Sequence, residues 1–228
     1  MLNKAMASIA ENIERITSQL PGATHLVAVS KYHPADKVQQ AYDAGQRLFG
    51  ENHAQELVAK APLMPTDAQW HFIGHLQTNK ARMIMPHVSL IHSIDSLKLL
   101  NTVNKEAARI NRRVDVLLQL HVAQEESKSG FDVEELLNGF EQGLLNGYDN
   151  VRLCGLMAMG SNTTCAEQVA HEFATVQATF ATLKERYFAH DEHFKDLSMG
   201  MSGDWHIAVE HGSTMVRIGT DIFGPREY

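Results

Sequence analysis

Three short stretches of this chain carry side chains whose types and spacing could do chemistry. Lys31 ends the apolar run HLVAVSK at residues 25–31. A lysine desolvated at such a strand end loses its proton more readily, and only the neutral amine attacks an aldehyde to form a Schiff base. The second stretch, SMGMSGD at 198–204, sets Ser198 and Ser202 among Gly200 and Gly203, just ahead of the short helical segment WHIAVEHG. The third, RIGT at 217–220, brings Arg217, Gly219 and Thr220. Amides and hydroxyls converging from the last two stretches would hold an anion such as a phosphate. Each stretch also has an ordinary reading: a solvated lysine, loop punctuation, and a strand arginine in an ion pair.

The elements that must position these residues can be read from periodicity. Residues 2–20 place Leu2, Met6, Ile9, Ile13, Ile16 and Leu20 at helical steps, and Pro21-Gly22 stops the pattern, so residues 1–22 are expected to form a helix packed on the main body. Eight strand-like runs follow, at 25–31, 47–51, 69–74, 90–95, 114–122, 151–159, 196–200 and 215–223. Between them lie helical segments such as PADKVQQAYDAG and LKLLNTVNKEAARIN, long enough to cross between parallel strands. Eight βα units predict an α/β fold, a single (β/α)8 TIM-type barrel spanning residues 1–228 and preceded by the N-terminal helix. A doubly wound sheet is the alternative, weakened by the lack of a GxGxxG turn after the first run. In such a barrel the chemistry gathers where strands end, which is where Lys31, Asn52, His75, Ser202, Arg217 and Thr220 all fall.

Composition narrows the function classes. The 228 residues carry 20 basic and 27 acidic side chains, a net charge of -7, without blocks of like charge, so nucleic acid is not an expected partner. No run approaches the roughly 18 to 20 apolar residues that cross a bilayer, and the N-terminus lacks a signal-peptide core, so a cytoplasmic protein is expected. Cys154 and Cys165 stand apart without CxxC spacing, and the 13 histidines form no ligand ladder, so reduced structural thiols and no metal are expected.

A lysine facing a phosphate cradle, with an arginine able to reach a ring nitrogen, is the set of groups that pyridoxal 5'-phosphate (PLP) requires. At this point the sequence closely resembles the YggS/PROSC family of pyridoxal-phosphate homeostasis proteins. The likeness runs through VAVSK (27–31), FGENHAQE (49–56), WHFIGHLQTNK (70–80), IHSID (91–95), SKSG (127–130), GLMAM (155–159), LSMGMS (197–202) and GSTMVRIGTDIFGPREY (212–228). The resemblance implies a barrel like the N-terminal domain of alanine racemase, with Lys31 holding PLP as an internal aldimine. It also implies that Ser202, Gly219 and Thr220 bind the phosphate and that Arg217 faces the pyridine nitrogen, keeping it unprotonated and the ring a weak electron sink. Asn52 and His75 would line the pocket and Met157 and Met159 would wall the ring, although methionine in a strand is also plain core.

The chain departs from the family pattern in three places. His75 stands where a proline is usual, Gly203-Asp204 replaces an acidic pair, and Trp205 is bulkier than expected. These bear on the loop over the cofactor and on the tightness of the phosphate cradle. The expected function is PLP homeostasis: binding, buffering and passing on the cofactor, without efficient catalysis, to PLP-dependent apoenzymes. Racemisation on this barrel type uses a tyrosine from a second, β-rich domain, for which the chain leaves no room after Tyr228, and the protein is expected to be a monomer. A racemase-like enzyme using Lys31 with His75 or Tyr32 is the alternative, and a Schiff-base aldolase barrel is a third reading.

Overall fold

The structure, a computed structural model, describes residues 7–125 and 129–225. Leu2, Met6, Ser127 and Lys128 of SKSG and the last three residues lie outside the described residues. Eight parallel strands, β1 (His25–Val29), β2 (Leu48–Glu51), β3 (Gln69–Phe72), β4 (Val88–Ile94), β5 (Val114–Leu120), β6 (Val151–Ala158), β7 (Asp196–Ser198) and β8 (Met215–Ile218), close in sequence order into a barrel. Helices α2 (Ala35–Asp43), α3 (Ala54–Lys60), α4 (Thr78–Ile84), α5 (Leu97–Arg109), α6 (Val133–Glu141), α7 (Ala166–Tyr187) and α8 (Trp205–Glu210) connect them, and α9 (Thr220–Phe223) follows β8. The expected (β/α)8 barrel is therefore the observed fold.

Two apolar layers hold it. The larger lies between sheet and helices and includes Phe49, Phe72, Ile91, Leu118, Phe173 and Phe194, all fully or nearly fully buried. The smaller fills the barrel, with Val27, Leu90, Leu117, Cys154, Met157 and Met215. Alternate strand positions feed the two layers, because successive strand side chains point to opposite faces. On β1, Leu26 and Ala28 go outward while Val27 goes inward.

On β6 the alternation is reset by a bulge. Leu153 faces the helices and Cys154 the interior, yet Leu156 again faces outward, with Met157 inward. The pairing with β5 slips at this point, from Val116 opposite Leu153 to Leu117 opposite Gly155. Gly155 has φ 152, and a Cβ there would lie 1.8 Å from Asp196 O, so no other residue fits between β6 and β7.

The N-terminal helix, α1 (Ile9–Thr17), is shorter than the periodicity predicts, because Ser8 caps it. The Ser8 side chain accepts from Glu11 N–H and Glu11 reaches back to Ser8 N–H, a closed capping box. Buried Ile13 and Ile16 face inward, and Asn12 Nδ2 donates to Ile222 O at 3.2 Å, tying α1 to α9. The last expected strand is corrected too. MVRIGTDIF is extended only to Ile218, since Gly219 leaves the extended region and its carbonyl accepts the amides of Ile222 and Phe223.

Candidate cofactor site

The period of two that packs β1 also aims its end. Val27 faces the interior, Val29 lines a cavity of about 280 Å³ at the C-terminal mouth, and Lys31, two residues further, lines the same cavity. Asn52, Met159, Ser202, Arg217, Gly219 and Thr220 complete the walls together with Ile73, Met201 and Gly203. Of the residues read from sequence, Lys31, Asn52, Ser202, Arg217, Gly219 and Thr220 are thus brought together. Met157 is not among them: it is fully buried one layer deeper, and Met159, at the next inward position, reaches the cavity instead. His75 also stands aside, largely exposed and paired through Nδ1 to Asp95 Oδ2 at 3.1 Å. Val29, Ile73 and Met201 were not singled out from sequence, although the spacing of Val29 from Lys31 already carried the signal.

Arg217 is the main charge in the wall. It is buried, and its guanidinium donates to Ser198 O at 2.8 Å, Ser198 Oγ at 2.6 Å and Ala158 O at 2.9 Å, all neutral acceptors. Burial pushes its pKa down to about 10, with Asp204 acting in the opposite direction. It remains a cation at neutral pH, without a hydrogen-bonded carboxylate. Such a charge favours an anionic or electron-rich ligand in the cavity.

A chain of hydrogen bonds leads away from Arg217 through the barrel. Ser198 Oγ lies 2.9 Å from His92 Nδ1, and His92 Nε2 lies 3.0 Å from His71 Nδ1. The Ser198 hydroxyl already accepts from Arg217, and the assignment that also pairs its own proton has it donate to His92 Nδ1, with His92 Nε2–H donating to His71 Nδ1. His71 then keeps its own proton on Nε2, beside a second cavity of about 460 Å³ at the opposite mouth. Burial drives both imidazoles toward the neutral form, His71 down to about 4 and His92 well below its usual range.

The other wall is built for an anion. None of the hydrogen bonds described in the loops takes up the amides of Ser202, Gly203 or Thr220. The loop between β7 and α8 is closed by Asp204, whose Oδ1 accepts Met201 N–H at 2.6 Å. Trp205 is buried at the start of α8, packed so closely that a Cβ on Gly200 would meet its Cα at 2.8 Å. A Cβ on Gly203 would meet open space, so the missing side chain removes no packing from the cradle. Asn52 Oδ1 is buried without a partner and lines the cavity, an acceptor awaiting a donor. Lysine amine, cationic wall, free amides and unpartnered acceptor together fit a ligand with an aldehyde, an anionic end and polar ring substituents.

No group of three or more metal-ligating side chains occurs among the described residues, and no described helix is long and apolar enough to cross a membrane. Cys154 is buried in the barrel interior, its thiol pushed up to about 12 by burial, whereas Cys165 is exposed at the N-cap of α7 with its thiol donating to Glu167 Oε2 at 3.5 Å, so of the two expected structural thiols only Cys154 belongs to the core.

The family model for the alanine racemase N-terminal domain matches residues 5–227. A pyridoxal phosphate homeostasis protein of Vibrio alginolyticus is 41% identical, over 98% of this chain and all of its own length. PipY of Synechococcus elongatus, solved with PLP bound, is 38% identical with a TM-score of 0.86, covering 95% of this chain and all of that one. Alanine racemase from E. faecalis, 16% identical, shares the fold with a TM-score of 0.72 over 95% of this chain and 57% of its own. The mouth of the barrel, its inward lysine and the full-length likeness agree: the chain belongs to the pyridoxal phosphate homeostasis protein family, built on the barrel of the alanine racemase N-terminal domain.

Proposed function

We propose that this chain binds PLP at the C-terminal mouth of the barrel, holds it reversibly on Lys31 and gives it up to PLP-dependent apoenzymes. The convergence of Lys31, Arg217, Ser202, Gly219 and Thr220 on one cavity carries the reading. When bound, PLP supplies an aldehyde that condenses with a neutral amine, the two amine hydrogens and the carbonyl oxygen leaving as water. Lys31 is that amine. Ser202 and Thr220 offer hydroxyls and amides to the phosphate, and Arg217 offsets its charge while presenting a donor, rather than an acid, to the ring nitrogen. Arg217 stays protonated at neutral pH, so it does not hand a proton to the ring and leaves it a weak electron sink.

What faces the cavity also supports holding rather than turnover. Among the described lining residues Lys31 is the one side chain able to accept a proton. The two partners considered for a racemase stand outside the lining: Tyr32 is bound through its hydroxyl to His53 Nε2 at 3.0 Å, and His75 to Asp95. A racemase needs a base on each face of the bound amino acid, and only one is supported here. A cytosolic monomer suits this reading.

The test is the visible spectrum of the protein mixed with PLP, before and after borohydride, followed by peptide mapping. An absorbance band that reduction fixes onto the peptide holding Lys31, and that Lys31→Ala abolishes, is the expected result. Labelling of a different lysine, or an unchanged band in Lys31→Ala, overturns the assignment.

A further inference from the structure

Lys31 sits between two residues that are both tied to a single buried ammonium. Ser30, immediately before it, is fully buried; its N–H donates to Gly50 O at 3.0 Å, its hydroxyl to Glu51 Oε1 at 2.7 Å, and its carbonyl accepts Lys60 Nζ at 2.8 Å. Tyr32, immediately after it, has φ 64, a left-handed conformation that an aromatic residue adopts only when its surroundings impose it. Its N–H donates to Glu56 Oε2 at 2.8 Å. Lys60 Nζ also donates to Glu51 Oε1 at 2.7 Å and to that same Glu56 Oε2 at 2.8 Å.

All three protons of the Lys60 ammonium are therefore spent, on the carbonyl before Lys31, on the carboxylate that holds the Ser30 hydroxyl, and on the carboxylate that holds the Tyr32 amide. The cluster joins the ends of β1 and β2 to the last residue of α3. Lys60 itself is 7% exposed and does not line the cavity, so it is not placed to react with a ligand. Nor is the cluster an economical way to stabilise a barrel: Glu51 and the Lys60 ammonium are withdrawn from water, and Glu56 partly so, where an apolar trio would pack at least as well. What it supplies, and an apolar trio would not, is directional hold on the two peptide groups that flank Lys31.

We propose that Lys60, through Glu51 and Glu56, is the positioning residue for Lys31, fixing the backbone on both sides so that Nζ meets an aldehyde anchored in the cavity at attacking distance. This rests on the reading of Lys31 given above. Binding of the anionic end is left to the loops after β7 and β8, which the cluster does not touch. The two events are thus separable, and loss of Lys60 should slow bond formation while leaving the anchored ligand's affinity intact.

Two probes separate them: PLP, and pyridoxine 5'-phosphate, whose alcohol cannot condense with an amine. In Lys60→Met, pyridoxine 5'-phosphate should bind within twofold of the unaltered protein, while the rate of borohydride-trapped labelling of Lys31 at saturating PLP should fall at least tenfold. Lys60→Arg, which keeps a cation and several donors, should restore part of that rate. Equal losses with both probes, or no loss with either, would overturn the proposal and leave Lys60 a scaffold residue. Should Lys60→Met not fold, Glu56→Ala serves, because Glu56 is partly exposed and its removal frees the Tyr32 amide and one Lys60 proton while leaving Lys60 on Ser30 O and Glu51; an unchanged labelling rate there overturns the proposal equally. If the unaltered protein binds PLP but is not labelled at Lys31, the functional reading fails first and the positioning role falls with it. Labelling intact in both variants sinks the positioning role alone.

Discussion

At the scale of single residues, polarity buried inside the barrel decides what the site can do. Thr220 lines the anion wall, and Thr220→Val removes one hydroxyl donor without changing shape. A hydrogen bond to a charged acceptor contributes about 1.5 to 3 kcal/mol, so affinity for PLP should drop roughly tenfold to a hundredfold by titration. His71 and His92 make a second prediction. Their folded-state pKa values lie below the unfolded value, so the folded protein binds fewer protons, and their contribution is complete above pH 6.5 and lost as pH falls toward 4. For His71 alone this is on the order of 3 kcal/mol. Glu51 works in the opposite sense: burial pushes it up to about 7, so its stabilising effect is complete below pH 4.5 and lost as pH rises through 7. The windows overlap, so a bulk stability curve would blur them and site-resolved NMR is the right reading. Both histidines should show the Nε2–H neutral form down to pH 5, and protonation of either near pH 6.5 would contradict the hydrogen-bond chain.

The elements convert these residues into a mouth with a fixed shape. Short strands flank the barrel closure, four residues in β8 and five in β1; β8 carries Arg217 to the cavity, and Lys31 reaches it from the turn two residues past the end of β1. The longer β6 needs a reset to bring Met159 to the cavity, and Gly155 supplies it. Gly155→Ala would force a Cβ into the Asp196 carbonyl, and a loss of roughly 2 to 4 kcal/mol in urea unfolding is expected. At the other end of the chain, Ser8→Ala should cost about 1 kcal/mol by opening the capping box of α1. Because α1 holds the carbonyl of Ile222 behind the anion wall, that same change should be felt, weakly, as a lower PLP affinity.

For the whole molecule, the question is enzyme or carrier. Among the described residues lining the upper cavity Lys31 is the one side chain able to accept a proton, and the proposed carrier role rests on that. With PLP loaded and L-alanine added in deuterated water, deuterium at Cα should stay near the rate of free PLP, while transfer of PLP to an apoenzyme proceeds. Exchange far above that rate with inversion would make the racemase reading the correct one. The fold does not choose between these outcomes, since alanine racemase shares the barrel.

Strand count, parallel order and the place of Lys31 at the mouth are legible in the sequence, because alternation, turn residues and strand-end position are local properties that neighbouring residues dictate. The cavity residues at strand ends were legible for the same reason. Met157 was misplaced by one layer because depth along a barrel is set by tilt and closure, not by the period of two. The end of β8 differs from the expected run because Gly219 permits two continuations, and in the structure its carbonyl accepts the amides of Ile222 and Phe223 in a helical turn. His71, His92, Ser198 and Arg217 come from four strands, Lys60 and Glu51 from α3 and β2, and Ser30 from the connection after β1; no spacing in the chain announces that they touch. Sequence determined which groups are available and which way each strand points them. Closure of the barrel decided which of them share hydrogen bonds, because only there are distant side chains forced, without water, to satisfy one another.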